Sequence, residues 1–189
     1  MDLLKNKILE VGVVISKDVI KLDSILNHQV DPQLTLEMGK VFATRFREAA
    51  VDKVMTIESS GIPIAFATAL ELGVPLVFAR RKKTLTTDDD AWSERVPSFT
   101  KGIVTDIMVS KAYLREGERV LIIDDFIANG DAARGLIRVI RRAGAEIAAV
   151  GIAVEKTFQS GGRSIREEGI HVESLVKIAS MENGNIIFE

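Results

Sequence analysis

Residues 120–133 read VLIIDDFIANGDAA, and this stretch decides the fold. Val120–Ile123 is an apolar run bounded by charge, which reads as a strand buried on both faces. The strand spans Arg119–Asp125 and ends on two adjacent acids, Asp124 and Asp125. Neighbouring carboxylates repel, so something cationic or rich in hydroxyls should lie opposite them. The loop that follows contains Ala128, Asn129, Gly130, Asp131 and Ala132. It is small, polar and flexible, and it opens a helix over Ala132–Ala143 whose free N–H groups favour an anion. A phosphate would then sit beside two carboxylates, which suits a ribose phosphate with its hydroxyls and a metal ion. The same residues also suit an ordinary strand–helix turn capped by an Asp. The glycine and Lys-Ser/Thr spacing of a Walker loop is missing, as are the three spaced glycines of a dinucleotide fingerprint.

The pattern recurs outward from this stretch. Lys53–Glu58 reads as a strand, Ser59-Ser60-Gly61 as a tight loop, and Ile62–Leu72 as a helix stopped by Gly73. Val74–Ala79 and Ala148–Glu155 read as further strands, the second after a helix stop at Gly144. Serial βαβ units predict an α/β fold with a mostly parallel sheet flanked by helices on both faces. Ligands then bind at the carboxyl ends of the strands. The loops after Glu58, Ala79, Asp125 and Glu155 should therefore share one crevice.

Other segments depart from this rhythm. Short β-like runs within residues 1–30 suggest a small lobe before the helix Pro32–Ala49. Residues 81–101 are polar and charged, and they read as a loop of the length found in lids. Residues 84–98 are expected to close over the site when substrates bind. Gln159–Arg163 reads as a turn.

Composition sets the outer limits. The 189 residues are 47% hydrophobic, enough for a single core and one domain. Lys and Arg total 25 against 27 Asp and Glu, so no net positive field would hold nucleic acid. With no cysteine, disulfide and thiolate-metal frameworks are excluded. A charged N-terminus and short apolar runs predict a soluble cytoplasmic protein without a membrane span. His28 and His171 lack partners at metal-ligand spacing and read as structural, and Trp92 reads as lid packing.

The 120–133 stretch resembles the phosphoribosyl-pyrophosphate motif of type I phosphoribosyltransferases. Its Ala-Asn-Gly loop, together with IESSGI at 57–62, SILNHQ at 24–29 and EKTFQ at 155–159, is similar to the bacterial xanthine phosphoribosyltransferase family. The similarity runs from the N-terminus to about residue 180. It implies the type I phosphoribosyltransferase fold in one domain, 1–189, with residues 1–30 forming a hood over the purine site. It implies transfer of phosphoribosyl from 5-phosphoribosyl 1-pyrophosphate (PRPP) to xanthine, with Mg²⁺ held mainly through PRPP.

Residue by residue, the resemblance sets Asp124 and Asp125 by the ribose hydroxyls and Ala128, Asn129, Gly130, Asp131 and Ala132 around the 5-phosphate. Ser59, Ser60, Gly61, Arg80 and Lys83 would meet pyrophosphate, and Glu58-Ser59 is a candidate cis peptide. Ile20, Asn27, Lys156 and Phe158 would surround the purine. Asp131 is a departure, because an acid beside a phosphate is repulsive unless it turns away. Basic residues such as Arg80 and Lys83 can reach a neighbouring subunit's site, which implies a homodimer. Rival readings are a hypoxanthine, guanine or adenine enzyme, or a PRPP-sensing regulator of nucleic acid. The regulator needs an added domain or a basic face.

Overall fold

The computed structural model describes residues 1–81, 90–98, 103–182 and 184–189. Its centre is a six-stranded sheet built from β3 (Lys53–Ile57), β4 (Leu76–Ala79), β7 (Arg119–Ile127), β8 (Glu146–Lys156), β9 (Val172–Glu182) and β10 (Asn185–Phe188). Their order is β10-β9-β8-β7-β3-β4. All pairs are parallel except β9 with the edge strand β10.

Burial on both faces explains the unbroken apolar runs. Along β7, Leu121 and Ile123 pack into one core cluster, whereas Val120 and Ile122 pack into the other. The first cluster joins α1 (Asp2–Val11), α2 (Pro32–Arg45) and α3 (Ile62–Leu72) through Leu4, Met38, Phe42 and Ile64. The second is covered by α4 (Asp131–Arg142) through Leu136, Ile137 and Ile140. The expected helix over 62–72 is found at those bounds, and Gly73 closes it in the left-handed region at φ 70.

Residues 1–30 form a small lobe with helix α1, the antiparallel hairpin of β1 (Val13–Ser16) and β2 (Val19–Lys21), and a π-helical turn at Asp23–Asn27.

Two sequence expectations are corrected. Residues 90–98 are not irregular lid: β5 (Ala91–Ser98) pairs antiparallel with β6 (Ile103–Ser110). Val96 is buried in the second cluster, and Glu94 accepts from Arg138 Nε of α4 at 2.7 Å. Trp92 packs against the same cluster. Residues 84–89 of the expected lid lie outside the described residues. The expected turn at Gln159–Arg163 instead runs into a short helix, α5 (Gly161–Glu167). Long-range contacts override the local composition in both places.

Candidate functional site

Strand order reverses between β3 and β7, because the chain runs from β3 outward to β4 and then returns to β7 on the other side. This switch point opens a crevice at the carboxyl ends of the strands. The loops after β3, β4 and β7, three of the four expected to share it, meet there. A cleft of about 180 Å³ is lined by Arg81, Pro97, Phe126 and residues 128–133.

Asp124 ends the apolar part of β7 and is 8% exposed. Its Oδ1 accepts from Asp125 N at 3.0 Å. Burial, then the charge of Asp125 beside it, raises the Asp124 carboxyl well above its usual range, while the charge of Arg81 pulls it down. Gly61 approaches this carboxylate across the crevice. A Cβ on Gly61 would lie 2.6 Å from Asp124 Oδ1 and would press on Thr56 Oγ1, so the close approach requires glycine. Thr56 Oγ1 is buried without a hydrogen-bond partner among the described residues.

The Glu58–Ser59 peptide is cis. Glu58 gathers the start of the basic stretch Arg80-Arg81-Lys82-Lys83: its Oε1 accepts from Arg81 N at 2.6 Å and its carbonyl accepts from Arg81 Nε at 3.0 Å. Arg80 Nε lies 3.9 Å from Glu58 Oε2. The Arg80 backbone also pairs with Met108 in both directions at 2.9 Å, which docks the β5–β6 hairpin beside β4. Lys83 lies outside the described residues. Arg81, to which sequence reasoning gave no role, is the member of this stretch that lines the cleft among the described residues.

After β7 the chain turns through Ala128 and Asn129 to Gly130, at φ 82, and enters α4 at Asp131. Gly130 therefore occupies a left-handed position that a side chain would strain. Asp131 and Ala132 form the first turn of α4 and are part of the cleft wall.

The N-terminal lobe meets the carboxyl ends of β7 and β8 through two polar links. Asn27 Nδ2 donates to Asp125 Oδ2 at 2.6 Å, and Lys156 Nζ donates to the Asp18 carbonyl at 2.7 Å. Lys156 Nζ also sits 5.6 Å from the centroid of the Phe126 ring, a cation–π arrangement. Burial lowers the Lys156 pKa below its ordinary value, with the charge of Asp18 opposing the shift. Ile20 is 7% exposed and packs in the first core cluster, so its side chain supports the lobe from within. Phe158 is 39% exposed at the end of β8. The aromatic ring under Lys156 is thus Phe126, which the sequence reading quoted beside the two acids without assigning it a role. Its signal was position, since it faces Val154 in the β7–β8 register.

His171 lies elsewhere: its Nε2 is 3.1 Å from Glu173 Oε1, and its ring meets Phe46 edge-on. Among the described residues, no group of three or more His, Cys, Asp or Glu could hold a metal ion, and no helix is long and apolar enough to cross a membrane.

Comparisons with known proteins agree with this geometry. Residues 25–178 match the family model described as phosphoribosyl transferase domain. The chain is 52% identical to a xanthine phosphoribosyltransferase of Bacillus cereus, over 100% of this chain and 95% of that one. It is 53% identical to a xanthine phosphoribosyltransferase of Moorella thermoacetica, over 100% of this chain and 96% of that one. Among solved structures, the Giardia lamblia adenine phosphoribosyltransferase has the same fold, with a TM-score of 0.77 at 20% identity over 92% of this chain and 97% of that one. A carboxylate pair and a glycine-containing loop at the switch point of a parallel sheet, matched by a family model over most of its length, make this chain a member of the phosphoribosyl transferase domain family.

Proposed function

We propose that the chain is a xanthine phosphoribosyltransferase, transferring the 5-phosphoribosyl group of PRPP to N9 of xanthine to give xanthosine 5'-phosphate and pyrophosphate. The observation that carries this reading is that Asn27 bonds to Asp125 while Lys156 lies by the ring of Phe126, the next residue of β7. Xanthine has carbonyl oxygens at positions 2 and 6. The Asn27 amide supplies a donor for the first, and the Lys156 ammonium supplies one for the second. Phe126 and Phe158 give apolar surface for the base, and Ile20 backs the hood.

In this reading Asp124 and Asp125 hold the ribose hydroxyls. The backbone of Ala128, Asn129, Gly130, Asp131 and Ala132 cradles the 5-phosphate, with the α4 dipole favouring the anion. Ser59, Ser60 and Gly61, aided by Arg80, Arg81 and Lys83, receive the pyrophosphate. As the bond from C1 of PRPP to pyrophosphate breaks and the bond to N9 forms, the imidazole proton of the purine is released to solvent and negative charge grows on the leaving group, where these cations and N–H groups neutralise it. Fixing both reactants in one crevice supplies the rest. The two carboxylates suit an ion held mainly by PRPP oxygens, and Mg²⁺ bound there would add positive charge at the leaving group.

The chain acts as one domain with residues 1–30 as a hood, in the cytoplasm, and as a homodimer. Phe66 and Leu70, 58% and 59% exposed one turn apart on α3, offer apolar surface for a second copy. Pyrophosphate release, measured with xanthine, guanine, hypoxanthine and adenine in turn, tests the reading. Xanthine should give the highest kcat/KM; a different preferred purine removes the specificity, and no release with any purine removes the reaction.

A further inference from the structure

Two carbonyls of the 128–130 turn are held from behind. Gly161 N donates to the Ala128 carbonyl at 2.9 Å, and Arg134 Nη2 donates to the Asn129 carbonyl at 2.6 Å. Arg134 Nη1 donates to Ser164 Oγ at 2.8 Å, and that hydroxyl donates to the Gly161 carbonyl at 3.1 Å. One guanidinium therefore links the turn to both α4, which carries it, and α5, which carries Ser164. The packing is close enough that a Cβ on Gly161 would lie 2.6 Å from Gly130 N and would press on the Ala128 carbonyl.

A trans peptide is planar, so its N–H points opposite to its C=O. Holding the Asn129 carbonyl toward Arg134 turns the Gly130 N–H the other way. Holding the Ala128 carbonyl toward Gly161 does the same for the Asn129 N–H. A carbonyl without its donor would be an unsatisfied acceptor, and a flipped peptide would present oxygen to an incoming anion. The planar fork of arginine suits the bridging of two acceptors, which a lysine ammonium does less well. Its charge also lies one turn along α4 from Asp131, where it offsets the acid at the loop.

We infer that Arg134 is a positioning residue for phosphate binding: acting through the Asn129 carbonyl, it fixes the loop N–H groups that receive the 5-phosphate of a ribose 5-phosphate moiety. This rests on the transferase reading above. Neither Arg134 nor Ser164 is among the residues that line the cleft.

Ribose 5-phosphate and inorganic pyrophosphate, used as separate probes, divide the two halves of the PRPP site. Arg134→Ala should weaken ribose 5-phosphate binding and raise the KM for PRPP by about tenfold or more, the scale of a lost charge-assisted hydrogen bond. Pyrophosphate binding, the KM for the purine and kcat at saturating PRPP should stay within about twofold. Arg134→Lys should recover only part of the loss. Ser164→Ala, which keeps the guanidinium and removes its tether, should give a smaller split in the same direction and serves if Arg134→Ala does not fold. Unchanged ribose 5-phosphate binding in these variants, or a parallel loss of pyrophosphate binding, overturns the inference alone. Wild-type protein that binds pyrophosphate but no ribose 5-phosphate overturns the transferase reading and the inference with it.

Discussion

Asn27 and Asp125, 98 positions apart in the chain, are joined by a hydrogen bond of 2.6 Å from the amide Nδ2 to the carboxylate Oδ2. The residue proposed to read the purine therefore touches the residue proposed to hold the ribose. Asn27→Asp replaces the donor with a second carboxylate beside Asp125, which removes the contact and adds repulsion. It also presents an acceptor where xanthine needs a donor and guanine carries an amine. The kcat/KM for xanthine should fall by about 5- to 150-fold, and the guanine-to-xanthine ratio should rise. An unchanged ratio in paired assays means that Asn27 does not read position 2.

Lys156 is expected to act differently. Its ammonium serves O6, a feature shared by xanthine, guanine and hypoxanthine, and it also ties the hood to β8 through the Asp18 carbonyl. Lys156→Ala should weaken all three purines by similar factors of about tenfold or more. A loss confined to xanthine would show that the charge, and not the O6 donor, is what matters.

Gly61 stands between the loop proposed to take pyrophosphate and the carboxylates proposed to hold the ribose. Gly61→Ala would drive a methyl group onto Thr56 Oγ1 and to within 2.6 Å of Asp124 Oδ1. Both groups are buried and have no room to yield. The loop must shift, so the KM for PRPP should rise at least about tenfold, with a stability loss of roughly 1–3 kcal/mol. Wild-type kinetics in this variant would show that the loop does not bind pyrophosphate.

The elements that position these residues were legible where local and global signals agree. The strand–turn–helix passages at 53–72 and 119–144 combine apolar runs with glycine stops, and their helices fall within a residue of expectation. The β5 strand was not legible, because Ser93, Glu94 and Arg95 look like loop until Arg138 and Arg142 of α4 bond to Glu94 and Ser93. Helix α5 begins with Gly161 and Gly162, weak helix formers that composition assigns to a turn. Glycine is used there because side chains would strike the 128–130 turn and Glu155. The candidate site residues came from the resemblance; Arg81 and Phe126 emerge only when the strands are set in register.

Asp124 should be a liability to stability at neutral pH. Its carboxyl is raised in the fold, so the folded chain holds that proton more tightly than the unfolded chain. Stability attributable to Asp124 is therefore full below the ordinary carboxylate value and declines as pH rises through the raised value. Asp124→Asn keeps the shape and removes the decline, so its unfolding midpoint at about pH 8 should equal or exceed that of the wild type. Combined with Asp125→Asn, it should abolish most turnover. Near-normal kcat/KM in the double variant would remove both acids from the site.

Glu155 has the opposite sign. It is 2% exposed and accepts from both terminal nitrogens of Arg166 at 2.7 Å and from Ser174 Oγ. Burial pushes its carboxyl up, but the hydrogen bonds of Arg166 and Ser174 and the charge of Arg166 outweigh that and leave it below its usual range. Its stabilisation is thus present above the ordinary carboxylate value and is lost as pH falls through the depressed one. Glu155→Gln leaves the half-buried Arg166 without its counter-charge, at a cost of about 3 kcal/mol near neutral pH. The acid limb of the stability curve should flatten as well, because the titrating group is gone. Because this pair ties α5 to β8, and α5 backs the turn proposed to hold the 5-phosphate, the KM for PRPP should rise while the unfolding midpoint in urea falls. Wild-type stability at neutral pH, with an unaltered acid limb, would show that the pair does not anchor α5.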